Sequence, residues 1–229
     1  QSKKDRKKQI ATDLLKKCKS VDEALAFLTS FNLVKLSKAQ MFIGDASGNY
    51  AVVTGGYIVR KTTNNFVLTN YPVNLGYTVP CHRRDAANHS LQSVTNIDLQ
   101  RMKIILAQSA QYAPNNLISN YSMAVNLKTC TIHLYYKNDF TKEATLTLQD
   151  ELKKGKHHRN LADYFLKSID PVLEQELAAN GISALPAKYR ELRKNESDTY
   201  NFTNQDALNL AVKWIEKGWQ AAAIQLLDC

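Results

Sequence analysis

The sequence predicts an α+β fold, on three observations. Short apolar runs separated by turn residues follow one another closely from Met41 to Thr69, as antiparallel strands with tight connections do. A second group of strand-like runs lies between Ser122 and Leu148. From Asp150 to Cys229 the apolar spacing is helical. A boundary near Asp170 separates a mixed layer, residues 1–170, from a helical extension, residues 171–229.

Composition sets the outer limits. A chain of 229 residues, 44% apolar and 22% charged, can bury a large core. No stretch approaches the ~18 consecutive apolar residues of a membrane span. The opening QSKKDRKKQ has no apolar h-region and is no signal peptide, which leaves the compartment open, cytoplasmic or exported. The net charge is +9, and the first 20 residues carry eight basic side chains against Asp5 and Asp13. Such a block reads first as the solvated face of a helix and only second as a phosphate binder. Lys153, Lys154, Lys156 and Arg159 form a weaker cluster without interleaved aromatics. No nucleic-acid partner is expected. Cys18, Cys81, Cys130 and Cys229 include no CxxC pair, so no structural zinc site is expected and no disulfide framework is required.

The elements follow in order. Ile10, Leu14, Leu15 and Cys18 recur at helical spacing, giving a helix from about Asp5 to Lys19. Ser20 followed by Glu23 is a capping box that opens a second helix over Ala24, Leu25, Phe27 and Leu28. Met41–Gly44 and Tyr50–Val53 flank the turn D-A-S-G-N as a hairpin, and Tyr57–Arg60 and Phe66–Thr69 continue as strands. Residues 82–110 return to helical spacing, with Asp98 capping the second of two helices. In the run Thr129–Tyr136, Cys130, Ile132, Leu134 and Tyr136 alternate with Thr131, His133 and Tyr135, the period of a sheet buried on one face. The later helical region is broken at Pro171, Gly181 and Pro186.

Several residues invite chemistry. Asn70, where a strand ends, can donate its side-chain amide to an oxyanion; the commoner role on position alone is to cap the strand and open a turn. Arg83 and Arg84 open a helix where they can clamp an anion, or merely pair with Asp85 at the surface. Cys81–His82 has the composition of a nucleophile–base pair, but adjacent side chains point apart. His157–His158 lacks further ligands at metal-binding spacing.

Taken together, V-D-E-A-L-A-F-L, then M-F-I-G-D-A-S-G-N-Y-A-V-V, then F-V-L-T-N-Y, and then R-R opening a helix resemble the linear-amide C–N hydrolases. That group contains choloylglycine hydrolase, penicillin V acylase, the isopenicillin-N acyltransferase and, more distantly, acid ceramidase. The resemblance covers roughly Lys8 to Phe165. It implies a four-layer αββα sandwich, incomplete in this chain, and an N-terminal-nucleophile mechanism: a Cys freed by cleavage attacks the carbonyl while its own α-amine serves as base. It implies Asn70 as an oxyanion-hole donor and Arg83 as a residue holding the nucleophile and its surroundings, with Arg84 as the alternative. It places Tyr71 and Arg84 beside the substrate, makes Asp45 structural, and requires no cofactor and no metal.

In that family the nucleophilic Cys, with an Arg and an Asp just downstream, precedes the V-D-E-A helix. None of the three stands in this sequence: Gln1 is no nucleophile, and Cys18 sits mid-helix without a free amine. The resemblance therefore implies that a missing N-terminal segment or a second chain carries the nucleophile, and that it, or a homo-oligomer, covers the exposed sheet. The expected ligand is a small-molecule amide. Towards the C-terminus, the helix after Thr203 and the Ala-rich helix after Gly218–Trp219 resemble one tetratricopeptide-type pair. Two further readings stand beside the hydrolase: a non-catalytic binding module whose helical tail recruits a partner, and, more weakly, a nucleic-acid binder using the basic N-terminal helix.

Overall fold

The structure is a computed structural model, and it describes all residues except 1–9, 34–38, 56, 72, 74–78, 93, 95 and 112–118. The predicted start of the first helix, and Lys3, Lys4, Lys7 and Lys8, lie outside the described residues. The chain forms two compact units, Gln1–Gly155 and Lys156–Cys229. Their division precedes Asp170 because the 3-10 turn Leu161–Tyr164 belongs to the helical unit: Asn201 Nδ2 donates to Asp163 Oδ1 at 3.1 Å, and Lys167 bridges to Tyr200.

In the first unit, helix α1 (Ile10–Lys17) is followed by α2 (Val21–Thr29). Ser20 caps α2 by accepting from Glu23 N–H at 3.2 Å, while Glu23 Oε2 accepts from Lys19 N–H at 2.7 Å. Strands β1 (Met41–Gly44), β2 (Tyr50–Thr54) and β3 (Tyr57–Arg60) form an antiparallel sheet in that order. Every residue of central β2 is buried. Ala51 and Val53 join Leu25 and Leu28 of α2 in one core, with Met41 and Ile43 beside them. Each of the fully buried Val53, Leu25 and Leu28 side chains contributes about 1.5–3 kcal/mol by leaving water.

Asp45 fastens this arrangement. Its Oδ1 accepts from Ser47 N–H, the Ser47 hydroxyl and Asn49 N–H at 2.9, 2.5 and 3.2 Å. Its Oδ2 accepts from Val21 N–H at 2.9 Å, satisfying a donor of the first turn of α2. One carboxylate thus shapes the β1–β2 turn and docks a helix onto it.

The segment Phe66–Thr69, predicted as a strand, belongs to neither sheet. Ring packing holds it instead: Phe66 lies 5.3 Å from Tyr50 and 6.0 Å from Phe42, centroid to centroid. Helices α3 (His82–Leu91) and α4 (Leu99–Ser109) follow, and Asp98 caps α4 by accepting from Arg101 N–H at 2.7 Å.

The second sheet is β4 (Tyr121–Asn126), β5 (Thr131–Tyr136) and β6 (Asp139–Thr147), again antiparallel. Cys130 lies outside β5, in a turn with φ 53°. Lys137 and Asn138, at φ 47° and 62°, join β5 to β6 with the two left-handed residues that a type I′ turn demands. Burial on β5 does not alternate strictly: Leu134 and Tyr135, on opposite faces, are both buried. Tyr135, on the more polar face, is fully buried, with Lys103 of α4 over its ring. On the apolar face, Leu134 is buried but Tyr121, Met123 and Val125 are 57, 46 and 43% exposed. Helix α4 packs on the face that carries Ala124 and Tyr135, the face that the alternation left unnamed. Helix α5 (Leu148–Lys153) ends the unit.

The second unit contains α6 (Asp170–Asn180), α7 (Leu185–Asn195), α8 (Asn204–Glu216) and α9 (Gln220–Leu227). Pro171 and Pro186 lie in first turns, where the missing N–H costs nothing, so they begin helices instead of breaking them. Gly181, at φ 77°, closes α6. Trp214 is fully buried and donates from Nε1 to Asp170 Oδ1 at 3.2 Å, and Lys213 pairs with the same carboxylate. Ala211, Ala222 and Ala223 are buried in this core, which lets α8 and α9 approach closely. On α8, Leu210, Ala211 and Trp214 face inward while Leu208 is 48% exposed.

Replacing Asp45 by Ala is expected to destabilise the first unit by about 1–2 kcal/mol at pH 7. The Ser47 hydroxyl foremost, with the Val21 amide next, holds the folded Asp45 carboxyl below its ordinary value. This contribution is present above the unfolded value of about 3.9 and is lost as pH falls from there through the folded value. Denaturant melts of wild type and Asp45→Ala should therefore converge below about pH 4.

Candidate functional site

The inner side of β2 faces the α2 core; the other side faces a cavity of about 860 Å³. Tyr50 and Thr54 of β2 line it, with Phe42, Phe66, Met102 and Ile105 supplying apolar wall. A volume of this order matches small-molecule sites, which place a few polar groups in an apolar surround. Here the polar groups include Gln40, Thr69, Asn70, Arg83 and Ser109.

Asn70 and Arg83, both singled out in the sequence, thus line the same cavity, Asn70 exposed and Arg83 half-buried. The other two predicted site residues do not line it. Tyr71 is 39% exposed, and Arg84 is buried, with its Nε 3.2 Å from Asp85 Oδ1. Consecutive positions on α3 turn by about 100°, so Arg83 and Arg84 cannot both face the cavity. Asp45 lies outside it, its carboxylate already engaged by four donors.

Gln40 carries no signal in the sequence, and Cys81 stands out there only as a neighbour of His82. Gln40 donates from Nε2 to the carbonyls of Thr69 and Tyr71 at 2.7 and 2.8 Å, and its Oε1 accepts from Val73 N–H at 2.9 Å. Cys81 is 7% exposed and occupies the N-cap of α3. Burial pushes its thiol up. The amide of Arg84, the Thr69 side chain, and the amide and charge of Arg83 outweigh that, leaving the thiol below its ordinary value. His82 is exposed while Cys81 is buried, so the adjacent pair does not form a dyad.

Comparison with known proteins gives no match. No family model, no curated protein and no solved structure is significantly similar to this chain. The site therefore stands on its own geometry.

A second polar constellation lies on the face of the β4–β6 sheet under α4. Glu143 accepts from the Tyr135 hydroxyl at 2.5 Å and from Thr145 at 2.9 Å, with His133 Nδ1 at 2.8 Å. Tyr135 foremost, then His133 and Thr145, hold the Glu143 carboxyl down to about 2 against the effect of burial. Burial first, then Glu143, raises the Tyr135 hydroxyl. A carboxylate so saturated is a structural bridge and a poor general base. Among the described residues, no group of His, Cys, Asp or Glu is arranged to hold a metal ion, and no helix is long and apolar enough to cross a membrane.

Burial and acidity act oppositely on Cys81. In native protein, iodoacetamide should label Cys18, Cys130 and Cys229, all half-buried, before Cys81. Peptide mass mapping after timed quenching reads the order, and labelling of Cys81 first would show that the thiol is open to solvent.

Proposed function

We propose that this chain supplies the oxyanion side of an amide-hydrolase or acyltransferase centre whose cysteine nucleophile lies on polypeptide outside these 229 residues. The observation that carries the reading is the convergence of Asn70 and Arg83 on a single, largely apolar cavity. An amide N–H donor and a guanidinium lining one cavity suit a reaction that builds negative charge on a carbonyl oxygen, and the apolar walls suit an acyl group. Attack by the sulfur forms a C–S bond and places charge on that oxygen. Collapse expels the amine, protonated by the base that first accepted the thiol proton, and water or a second amine then releases the acyl group.

The finer architecture belongs to the same proposal. The exposed apolar flank of the β4–β6 sheet, at Tyr121, Met123 and Val125, supports an αββα sandwich in which further strands stack on that face. A missing N-terminal segment or second chain is the partner that fits. In the helical unit, Leu208, Val212 and Ile215 lie at i, i+4 and i+7 on α8 and are each about half exposed. That stripe favours the second reading, a tail that binds a partner without catalysis.

The deciding experiment replaces Asn70 by Ala in protein assembled with the nucleophile-bearing segment, using a chromogenic acyl amide. Loss of an oxyanion donor should lower kcat by about 10²–10³. A change confined to KM would reduce Asn70 to a wall of the pocket. The same assay on the 229-residue chain alone should give no turnover.

A further inference from the structure

We infer that Gln40 is a positioning residue for Asn70, a role that rests on the amide-hydrolase reading above. Asn70 sits on a segment that neither sheet includes, so no strand ladder fixes its peptide planes. A side chain takes the place of the ladder. Gln40 Nε2 holds the carbonyls of Thr69 and Tyr71, the residues on either side of Asn70, and Oε1 holds the amide of Val73. Both donors and the acceptor of one primary amide are used on a single loop 29 to 33 residues away in sequence.

The geometry makes this more than a loop anchor. The Thr69 carbonyl lies in the peptide plane that leads into Asn70 and the Tyr71 carbonyl beyond it, so holding both restricts the backbone rotations of Asn70 and with them the direction of its Cα–Cβ bond. An oxyanion donor is effective only if aimed beforehand, because reorientation during the reaction costs what the hydrogen bond would return. Thr69 is also held from its other side, its side chain lying against the Cys81 thiol at the start of α3. Gln40 itself directly follows Ala39 at the entry to β1, so the clamp is referred to the rigid sheet and not to another loop.

The experiment pairs two readouts on the full 229-residue chain. In ¹⁵N–¹H spectra, the side-chain amide resonances of Asn70, identified by their absence in Asn70→Ala, should shift and broaden in Gln40→Glu, which keeps the size of the side chain but loses both donors. In calorimetric titrations with N-decanoylglycine, Gln40→Ala should weaken binding about tenfold where Asn70 is present and less than about twofold in Asn70→Ala, the non-additivity expected of residues acting as a unit. Unmoved Asn70 resonances, or equal weakening in both backgrounds, would overturn the positioning role. If Gln40→Ala does not fold, Gln40→Glu replaces it in the cycle. Failure of N-decanoylglycine to bind wild-type protein would overturn the amide-substrate reading instead, and the resonances still decide the role of Gln40.

Discussion

The first unit depends on burying β2 from both sides. Ala51 and Val53 are sealed beneath α2, while Tyr50 and Thr54 look into the cavity, and all of these residues are buried. A strand in this position allows no slip: a shift of one residue would send Tyr50 and Val52 into the helix-covered core and Ala51 and Val53 into the cavity. The register with Met41–Gly44 and Tyr57–Arg60 is therefore fixed by side-chain volume as well as by hydrogen bonds. The same constraint sets the cavity wall, since Tyr50 also supports the Phe66 ring from which the Asn70 segment runs.

One side-chain amide and one carboxylate then tie distant chain segments to this strand and its neighbours. Asp45 joins the β1–β2 turn to the amide end of α2, and Gln40 joins the entry of β1 to the Thr69–Val73 segment. Each satisfies several backbone groups that have no regular partner, which is why a single polar side chain can determine the course of a loop. Trp214 and Asp170 play the corresponding part in the helical unit, where a buried indole N–H and a lysine share one carboxylate.

Local signals are legible in the sequence, because local physics produces them. The Ser20–Glu23 box, the Asp98 cap, the D-A-S-G-N turn and the Thr203 cap involve partners within a few residues. The Lys137–Asn138 turn is not legible in the sequence, since no glycine marks it, although both residues adopt left-handed φ. Phe66–Thr69 has the composition of a strand, yet composition does not tell whether a neighbouring strand is present to pair with. The β4–β6 sheet shows the limit of alternation: it separates two faces but does not name the covered one, and here α4 chose the face with Tyr135, whose hydroxyl finds Glu143. Asn70 and Arg83 were legible as a pair only through the order of motifs around them. Gln40 was not legible at all, because a glutamine between two apolar runs gives no sign of bonds to residues 69, 71 and 73.

The two rims of the second sheet are not equivalent. The β6 rim carries Asp139, Lys142 and Glu143, charges that discourage the approach of another backbone. The β4 rim, Tyr121 to Asn126, has no charged residue, and among the described residues no strand pairs with it on its outer side. Growth of this sheet by strand addition is thus directional: open at β4, resisted at β6.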